Sequence, residues 1–185
     1  MVQWRPDFDP THLYFVTTSA VQRARLFQRD VIKRILVDAL YHLQVVDRTE
    51  LYAFTIMPNH VHFIMRCRAA DPLAAVVRDF RANSARLIVR HYCAEHNQRA
   101  LDFLAQAVTR PAKQQYKVWQ DDYLAKDVFS PGFLLQKMEY IHNNPLQPHW
   151  QLVERPEDYA WSSARFYLTD EPCIIPIDDA RKLLQ

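Results

Sequence analysis

The first half of the chain carries two kinds of hydrophobic pattern, one typical of strands and one typical of helices. Residues 12–20 are rich in aromatic and β-branched side chains, which predicts a strand, and residues 28–43 repeat apolar side chains at the helical period. Two further β-rich runs, residues 51–57 and 60–65, are separated only by Pro58-Asn59, which favours a tight antiparallel hairpin. The predicted order is strand, helix, strand, strand.

The middle of the chain predicts a second helix, followed by a segment without a clear pattern. Asp71-Pro72 is typical of a helix N-cap followed by proline at the first helical position, and one apolar stripe continues from there to His91. Residues 96–115 show only weak periodicity, so we expect an inserted or mobile segment there. Residues 116–129 contain two short runs that could supply a last strand.

A third helix and the two ends of the chain complete the pattern. Ser130-Pro131 is a second capping pair, and the helix that it opens is predicted to run through Ile141 and to end before Pro145. Residues 1–11 are expected to form a loose N-terminal arm. Residues 156–185 are aromatic enough to pack back on the core as a C-terminal tail.

The order of these elements predicts the fold class. Strand, helix, strand, strand, helix, strand, helix is the order of an α+β fold with a ferredoxin-like antiparallel sheet and helices packed on one face. The chain has 185 residues, a length typical of one domain, and 49% of them are hydrophobic, which is enough for a substantial core. We therefore expect a single domain over residues 1–185.

Composition excludes several classes of protein. One glycine against eleven prolines excludes the glycine-rich phosphate loops of P-loop and Rossmann proteins. The three cysteines, Cys67, Cys93 and Cys173, show no paired spacing and indicate free thiols in a reducing compartment. No apolar run approaches the ~18 residues of a membrane span, so we expect a cytoplasmic protein without a membrane partner.

His60 and His62 are the first candidates for chemistry. They stand two apart in a predicted strand, so both imidazoles face one side of the sheet while Val61 and Phe63 face the other. Two neutral imidazoles on a rigid strand form half of a metal site. The spacing alone is weak, because eight histidines in 185 residues give such a pair by chance in roughly a third of chains. Two strand histidines with ordinary hydrogen bonds are the alternative.

The predicted helix around Tyr140 has an apolar face and a polar face. The apolar stripe consists of Leu134, Met138 and Ile141. Gln136, Lys137, Tyr140 and Asn144 lie on the other face. A phenol is a weak nucleophile unless a metal makes its phosphate target electrophilic, so Tyr140 is a candidate nucleophile if its helix packs near the histidine strand. Asn144, one turn further on, could then supply a third metal ligand through its amide oxygen. A surface tyrosine without chemistry is the alternative.

Two long motifs together resemble a known family. Met57 to Met65 (MPNHVHFIM) and Tyr140 to Pro145 (YIHNNP) closely resemble the REP-associated tyrosine transposases, which belong to the single-tyrosine HUH transposases that act on single-stranded DNA. Phe15 to Thr18, Val118 to Gln120 and Asp158 to Ser163 resemble further parts of that family. Residues after Pro145 depart from it, because they lack the small glycine-containing turn that is common in its members.

The resemblance implies a function and a set of site residues. It implies a ferredoxin-like fold, His60 and His62 as ligands of Mg²⁺ or Mn²⁺, and Asn144 as the third ligand. It implies that Tyr140 forms a covalent 5′-phosphotyrosine link while single-stranded DNA is cleaved and transferred. The implied partner is single-stranded DNA that forms hairpins from palindromic repeats. A homodimer, and a tyrosine that acts in its own subunit or in a partner's, both stay open.

Candidate DNA contacts come from arginine and lysine side chains near these motifs. The net charge is only +2, so composition does not force a strongly basic surface, and local clusters must provide the phosphate contacts. The candidates are Arg23, Arg25, Arg78, Arg81, Arg86 and Lys137. Guanidinium groups suit phosphate, but a solvated helix face is an equally ordinary reason for such residues.

Two other functions compete with the transposase. A domesticated protein could bind DNA hairpins without turnover, although the intact set of His60, His62, Tyr140 and Asn144 argues against this. A rolling-circle replication nuclease or relaxase would share the chemistry. Such proteins generally carry accessory domains, for which 185 residues leave no room.

Overall fold

A computed structural model describes residues 8–68 and 71–184 of the chain. The strands are β1 (Leu13–Ala20), β2 (Thr49–Ile56), β3 (His60–Cys67) and β4 (Trp119–Val128). The helices are α1 (Asp30–Val45), α2 (Leu73–Ala94), α3 (Gln98–Gln106), α4 (Pro131–Asn143) and α5 (Ala164–Thr169). Most of the predicted N-terminal arm, residues 1–7, lies outside the described residues. Within the described ranges, no helix has the length and apolar character that crossing a membrane requires.

The four strands form one antiparallel sheet in the order β2-β3-β1-β4. The hairpin between β2 and β3 turns at Pro58-Asn59, and the amide of Met57 donates to the carbonyl of His60 at 2.8 Å to close it. Because β1 lies between β3 and β4, α1 and α2 are the crossovers of a ferredoxin-like sheet. The predicted α+β class with this antiparallel sheet is confirmed.

The sequence predicts helices on one face of the sheet only, and this part of the prediction is wrong. The helices lie on both faces. Alternate side chains such as Val16 and Phe63 point to α1 and α2, whereas Phe15 and Ile64 point to α4. The reason is that α4 has its own apolar stripe to bury. Its predicted members are all buried: Leu134, Met138 and Ile141. The second face of the sheet is the apolar surface that α4 covers.

The weakly patterned segment 96–115 contains α3, which the sequence pattern did not predict. Asn97 caps this helix by accepting from the amide of Ala100 at 3.1 Å, and Leu101 and Leu104 are buried in the core beside α2. Only two of its nine residues are buried, so the apolar stripe is too short to show a helical period in the sequence. Whether the segment is an insertion stays a prediction.

The C-terminal tail lies along the outer edge of β2. Ile56 donates its amide to the carbonyl of Trp161 at 2.9 Å, and Phe54 donates its amide to the hydroxyl of Ser163 at 3.0 Å. The phenol of Tyr159 donates to the carbonyl of Ile56 at 2.7 Å. The tail thus satisfies backbone groups that an edge strand would otherwise leave open.

Candidate active site

β3 presents His60 and His62 on the face of the sheet that α4 covers. Their ring centroids lie 4.5 Å apart with an angle of 75° between the planes, and His62 is only 3% exposed. Val61 and Phe63, between and beyond them, are buried in the core on the opposite face. The period-two prediction for this strand is therefore confirmed, and the two imidazoles can approach one small ligand together.

A neighbour holds the Nδ1 atom of each imidazole. The amide oxygen of Asn59 lies 2.5 Å from Nδ1 of His60, and the amide nitrogen of Asn59 donates to the carbonyl of Arg23 at 3.0 Å. The hydroxyl of Thr17 lies 2.7 Å from Nδ1 of His62. Because an amide oxygen only accepts, Nδ1 of His60 carries the proton and Nε2 keeps its lone pair. Such partners set the direction in which an imidazole offers its lone pair.

Both imidazoles are uncharged at neutral pH. Burial lowers the pKa of His60 from 6.5 to about 4, a shift that Asn144 opposes and that the charges of Arg23 and His149 increase. Burial also lowers the pKa of His62 well below 6.5, with further contributions from His60 and Lys137. Since a cation competes with a proton for the same lone pair, this environment favours metal binding at neutral pH.

Asn144 brings a third polar group to the two imidazoles. It directly follows α4, begins the 3-10 turn Asn144–Leu146 and keeps helical dihedral angles (φ −58°, ψ −40°), so Pro145 does not displace it. The side chain is 4% exposed, and its nitrogen lies 3.5 Å from Nε2 of His62. Its oxygen is buried and has no hydrogen-bond donor among the described residues, because a neutral His60 has no proton to offer there.

These three side chains fit a divalent cation. A buried amide oxygen without a donor is destabilising, and a cation would satisfy it. Two imidazole nitrogens and one carboxamide oxygen form a mixed donor set that Mn²⁺ or Mg²⁺ can accept. Within residues 8–68 and 71–184, no group of three or more His, Cys, Asp or Glu side chains could hold a metal, so the amide is essential to this candidate.

Tyr140 lies next to the same histidines. Its ring centroid is 5.2 Å from that of His62 and 6.0 Å from that of Phe15, and 45% of the side chain is exposed. The ammonium of Lys137, one turn earlier on α4, lies 5.7 Å from the centroid of the Tyr140 ring. Burial lowers the pKa of Lys137. The phase of α4 therefore separates buried apolar residues from an accessible phenol beside the imidazoles, as the sequence predicts.

The histidines and Tyr140 open into a cleft of about 590 Å³. Arg23 and Arg25 line it, and neither guanidinium forms an ion pair with a described residue. No described residue that lines the cleft is acidic. A cavity with cations and without carboxylates favours an anionic ligand.

The structure separates the predicted DNA contacts into two groups. Arg23, Arg25 and Lys137 lie in or beside the cleft. The other three lie on α2, behind the sheet: Arg78, Arg81 and Arg86. Each of these three is engaged locally, since Arg78 pairs with Asp79 at 2.9 Å, Arg81 donates to the carbonyl of Gln120, and Arg86 donates to Asn83 at 2.9 Å.

Sequence reasoning missed two residues that orient the histidines and one that lines the cleft. Asn59 precedes His60 directly, so a signal was present. Thr17 lies opposite His62 in the β1–β3 register, which sequence alone does not give. Trp150 lines the cleft from the segment after Pro145, where the sequence departs from the family's pattern.

Comparison with protein families decides the class. The model of the IS200-like transposases matches residues 10–144, which include both histidines, Tyr140 and Asn144. The chain belongs to the IS200-like transposase family. The resemblance drawn from the sequence motifs is therefore confirmed, and the protein is a transposase. A search of curated proteins gave no match.

Two solved structures are similar to this transposase. A REP-associated tyrosine transposase bound to a REP hairpin matches with a TM-score of 0.66 and 16% identity, covering 96% of this chain and 93% of that one. At that identity the match establishes the fold alone. A candidate transposase from Deinococcus radiodurans matches with a TM-score of 0.47 and 19% identity over 77% of this chain and 97% of that one, which is too low to carry an argument.

Proposed function

We propose that this transposase cuts and rejoins single-stranded DNA in a metal-dependent reaction, with Tyr140 as the nucleophile. One observation carries the proposal. The accessible phenol of Tyr140 shares a cleft with two neutral imidazoles, and its ring centroid lies 5.2 Å from that of His62. The buried oxygen of Asn144 in the same cleft has no hydrogen-bond donor among the described residues. A nucleophile and a set of metal donors in one cation-lined cleft are what phosphoryl transfer requires.

His60, His62 and Asn144 would hold the metal in this proposal. When bound, a divalent cation polarises the phosphoryl group and stabilises the leaving oxygen. Asn59 and Thr17 engage the two Nδ1 atoms, which leaves Nε2 of each imidazole as the atom that would bind the metal. Lys137 and Arg23 contribute positive charge next to the phosphate that is cleaved.

The proposed reaction is a pair of transesterifications. The Tyr140 oxygen attacks phosphorus, the bond from phosphorus to the 3′ oxygen of the preceding nucleotide breaks, and that oxygen takes up a proton while the phenol gives one up. The strand is then joined to the enzyme through a 5′-phosphotyrosine. A 3′ hydroxyl attacks this phosphorus in the second step and releases the phenol, so neither a cofactor nor an oxidant is consumed.

Hairpins of palindromic repeats are the proposed substrate. The structural neighbour named above was solved with a REP hairpin, and the same fold in this chain supports a DNA hairpin as partner. Arg23, Arg25 and Lys137 are the proposed phosphate contacts because they lie at the cleft. Tyr140 and His62 meet within one chain, which supports a tyrosine that acts in its own subunit, and the homodimer stays a prediction.

Replacement of Tyr140 by phenylalanine tests the proposal directly. The substrate is a pool of hairpin DNA with single-stranded flanks of random sequence, and the measurement is a covalent protein–DNA adduct on a denaturing gel with Mn²⁺ present. Wild type should form the adduct, and Tyr140→Phe should form none while its hairpin affinity stays within about twofold. Tyr41→Phe is the matched control, because Tyr41 is similarly exposed (39%) but lies on α1.

The outcomes separate the enzyme from a DNA-binding protein. An adduct in Tyr140→Phe would show that the nucleophile is another residue. A wild-type protein that binds hairpins but takes up neither Mn²⁺ nor Mg²⁺ in a calorimetric titration, and forms no adduct, would be the domesticated hairpin-binding protein considered above.

A further inference from the structure

The segment that follows Asn144 is a closed, ordered turn that forms one wall of the cleft. The amide of Leu152 donates to the carbonyl of Pro145 at 2.9 Å, and the amides of Trp150 and Gln151 both donate to the carbonyl of Gln147, at 2.8 and 3.0 Å. Gln151 adopts a left-handed conformation (φ 45°) that reverses the chain. This segment lies beyond residues 10–144, the range that the family model matches.

Trp150 is held at the cleft by this turn and is not part of either hydrophobic cluster of the described residues. Its ring lies 6.0 Å from that of His60, at an angle of 46°. The two other tryptophans that the structure describes have structural surroundings. Trp119 is buried and donates its indole N–H to the carbonyl of Arg81 at 3.0 Å, and Trp161 packs against the core beneath the ammonium of Lys33. Core packing therefore does not explain Trp150.

The guanidinium of Arg25 lies over this indole ring. The guanidinium carbon is 5.3 Å from the ring centroid, and the group forms no ion pair with a described residue. An aromatic ring next to an unpaired cation is the combination with which proteins bind single-stranded nucleic acid, since a base stacks on the ring and the cation contacts the adjoining phosphate.

We propose that Trp150 and Arg25 form a subsite for one unpaired nucleotide next to the phosphate that Tyr140 attacks, with the base stacked on the indole and the adjoining phosphate on the guanidinium. The inference rests on the proposed function and adds to it the place where the unpaired strand is held. Its consequence is a contact that the interior of a double helix cannot make, because neighbouring base pairs cover both faces of each base. The subsite thus selects single-stranded flanks over duplex DNA.

The test compares DNA with and without bases. All variants are made in the Tyr140→Phe protein so that no strand is cleaved, and binding of a short oligothymidylate is compared with binding of an abasic strand of equal length by fluorescence anisotropy. Trp150→Ala should lower affinity for oligothymidylate about tenfold and leave affinity for the abasic strand unchanged, whereas Trp150→Phe should keep most of the affinity. Leu152→Ala, in the same turn but outside the cleft, is the control.

Arg25→Ala gives an independent readout that does not depend on how Trp150 variants fold. It should weaken binding of both strands and lower the slope of log affinity against log salt by about 0.7. Equal losses for both strands in Trp150→Ala, or no loss for oligothymidylate, would overturn the stacking inference while leaving the proposed function standing. Failure of the Tyr140→Phe parent to bind either strand would overturn the subsite, and its failure to bind the hairpin DNA as well would overturn the proposed function.

Discussion

On the face of the sheet that α1 and α2 cover, Arg48 and Lys117 are paired with carboxylates, whereas the cations that line the cleft on the other face have no acidic partner among the described residues. Behind the sheet, Arg48 is bound by Asp71 and Asp79 at 2.8 and 2.9 Å, and Lys117 is bound by Asp121 at 2.9 Å. At the cleft, the guanidinium of Arg23 has no acidic partner among the described residues. The two faces belong to one sheet, yet only the cleft brings cations together without a described carboxylate.

The difference indicates a division of labour between the two faces. The larger hydrophobic cluster, with fully buried side chains such as Phe54, Phe63 and Phe80, lies behind the sheet and stabilises the fold. The smaller cluster under α4 leaves room beside it for His60, His62 and the cleft. Open hydrogen-bonding capacity and unpaired charge are unfavourable for folding, and they persist where a ligand completes them.

Removal of a proposed metal ligand from the cleft should have the largest effect on DNA cleavage. His62→Ala should lower the rate of DNA cleavage about 1000-fold or more, because the phosphoryl group is no longer polarised, and should abolish Mn²⁺ uptake. The thermal midpoint of the metal-free protein should also fall, because the buried ring stacks on Phe15 with centroids 5.5 Å apart, so cleavage is measured below the unfolding transition. His42→Ala, at an exposed position on α1, is the control. Cleavage at a normal rate by His62→Ala would exclude its role as a ligand.

Truncation in the core behind the sheet should have the opposite profile. Phe80 contacts both Phe63 and Trp119 and is 1% exposed, so Phe80→Ala should lower the free energy of unfolding by about 3–5 kcal/mol. Cleavage by the folded fraction should be unchanged. Urea denaturation measures the first effect, and single-turnover cleavage below the unfolding transition measures the second. A specific loss of cleavage in fully folded protein would show that the two faces are coupled.

Acid should destabilise the seam where α4 meets the C-terminal tail. Burial lowers the pKa of His142 from 6.5 to about 4, and its Nε2 lies 2.9 Å from the hydroxyl of Ser163. The unfolded chain takes up this proton at a higher pH than the folded protein does. The contribution of neutral His142 to the free energy of unfolding is therefore fully present above pH 6.5. It is lost as the pH falls towards 4, by a total on the order of 3 kcal/mol.

His142→Gln should reduce the slope of unfolding free energy against pH in that window, although His60 and His62 titrate in the same direction and keep part of it. His42→Gln, at an exposed position on α1, is the control. Urea titrations at several pH values between 7 and 4 measure the effect, in the window that the His142 pKa sets. An identical slope in wild type and His142→Gln would show that this histidine does not contribute.

The smallest expected effect compares one arginine from each face. Arg23→Ala should weaken single-stranded DNA binding several-fold and lower the salt slope by about 0.7, because one phosphate contact is lost. Arg78→Ala should change neither, since its side chain pairs with Asp79 behind the sheet at 2.9 Å. Equal losses in both variants would place DNA on both faces of the protein.

The periodic parts of the site could be predicted from sequence. Strand alternation placed His60 and His62 together, and the helical period placed Tyr140 away from the stripe that α4 buries. Features that depend on distant neighbours could not be predicted in the same way. The sequence predicts Asp71 as the N-cap of α2, and this is wrong. Its carboxylate binds Arg48, which precedes β2 in the chain, and Pro72 precedes the helix without a side-chain cap.

The position of α4 needed information that the sequence pattern does not contain. A helix with one apolar stripe can cover either face of a sheet, and the choice between them decides which arginines share a surface with His60. Arg23 reaches the cleft because the turn Val21–Arg23 has left-handed residues at Gln22 and Arg23, and non-glycine residues give little sign of that conformation. Tertiary packing therefore decides which of the predicted DNA-contacting cations lie at the cleft, although they looked equivalent in the sequence.

The strand pairing of the C-terminal tail has a consequence for self-association. An open edge of a sheet is a template for another chain, and the two edges of this sheet are protected by different means. At β2 the backbone bridge between Thr55 and Ser162 occupies the edge, whereas at β4 the exposed charges of Asp121, Asp122 and Lys126 oppose the approach of a second strand. A chain shortened before Ser162 would uncover only the first of these edges, and its aggregates should grow from β2.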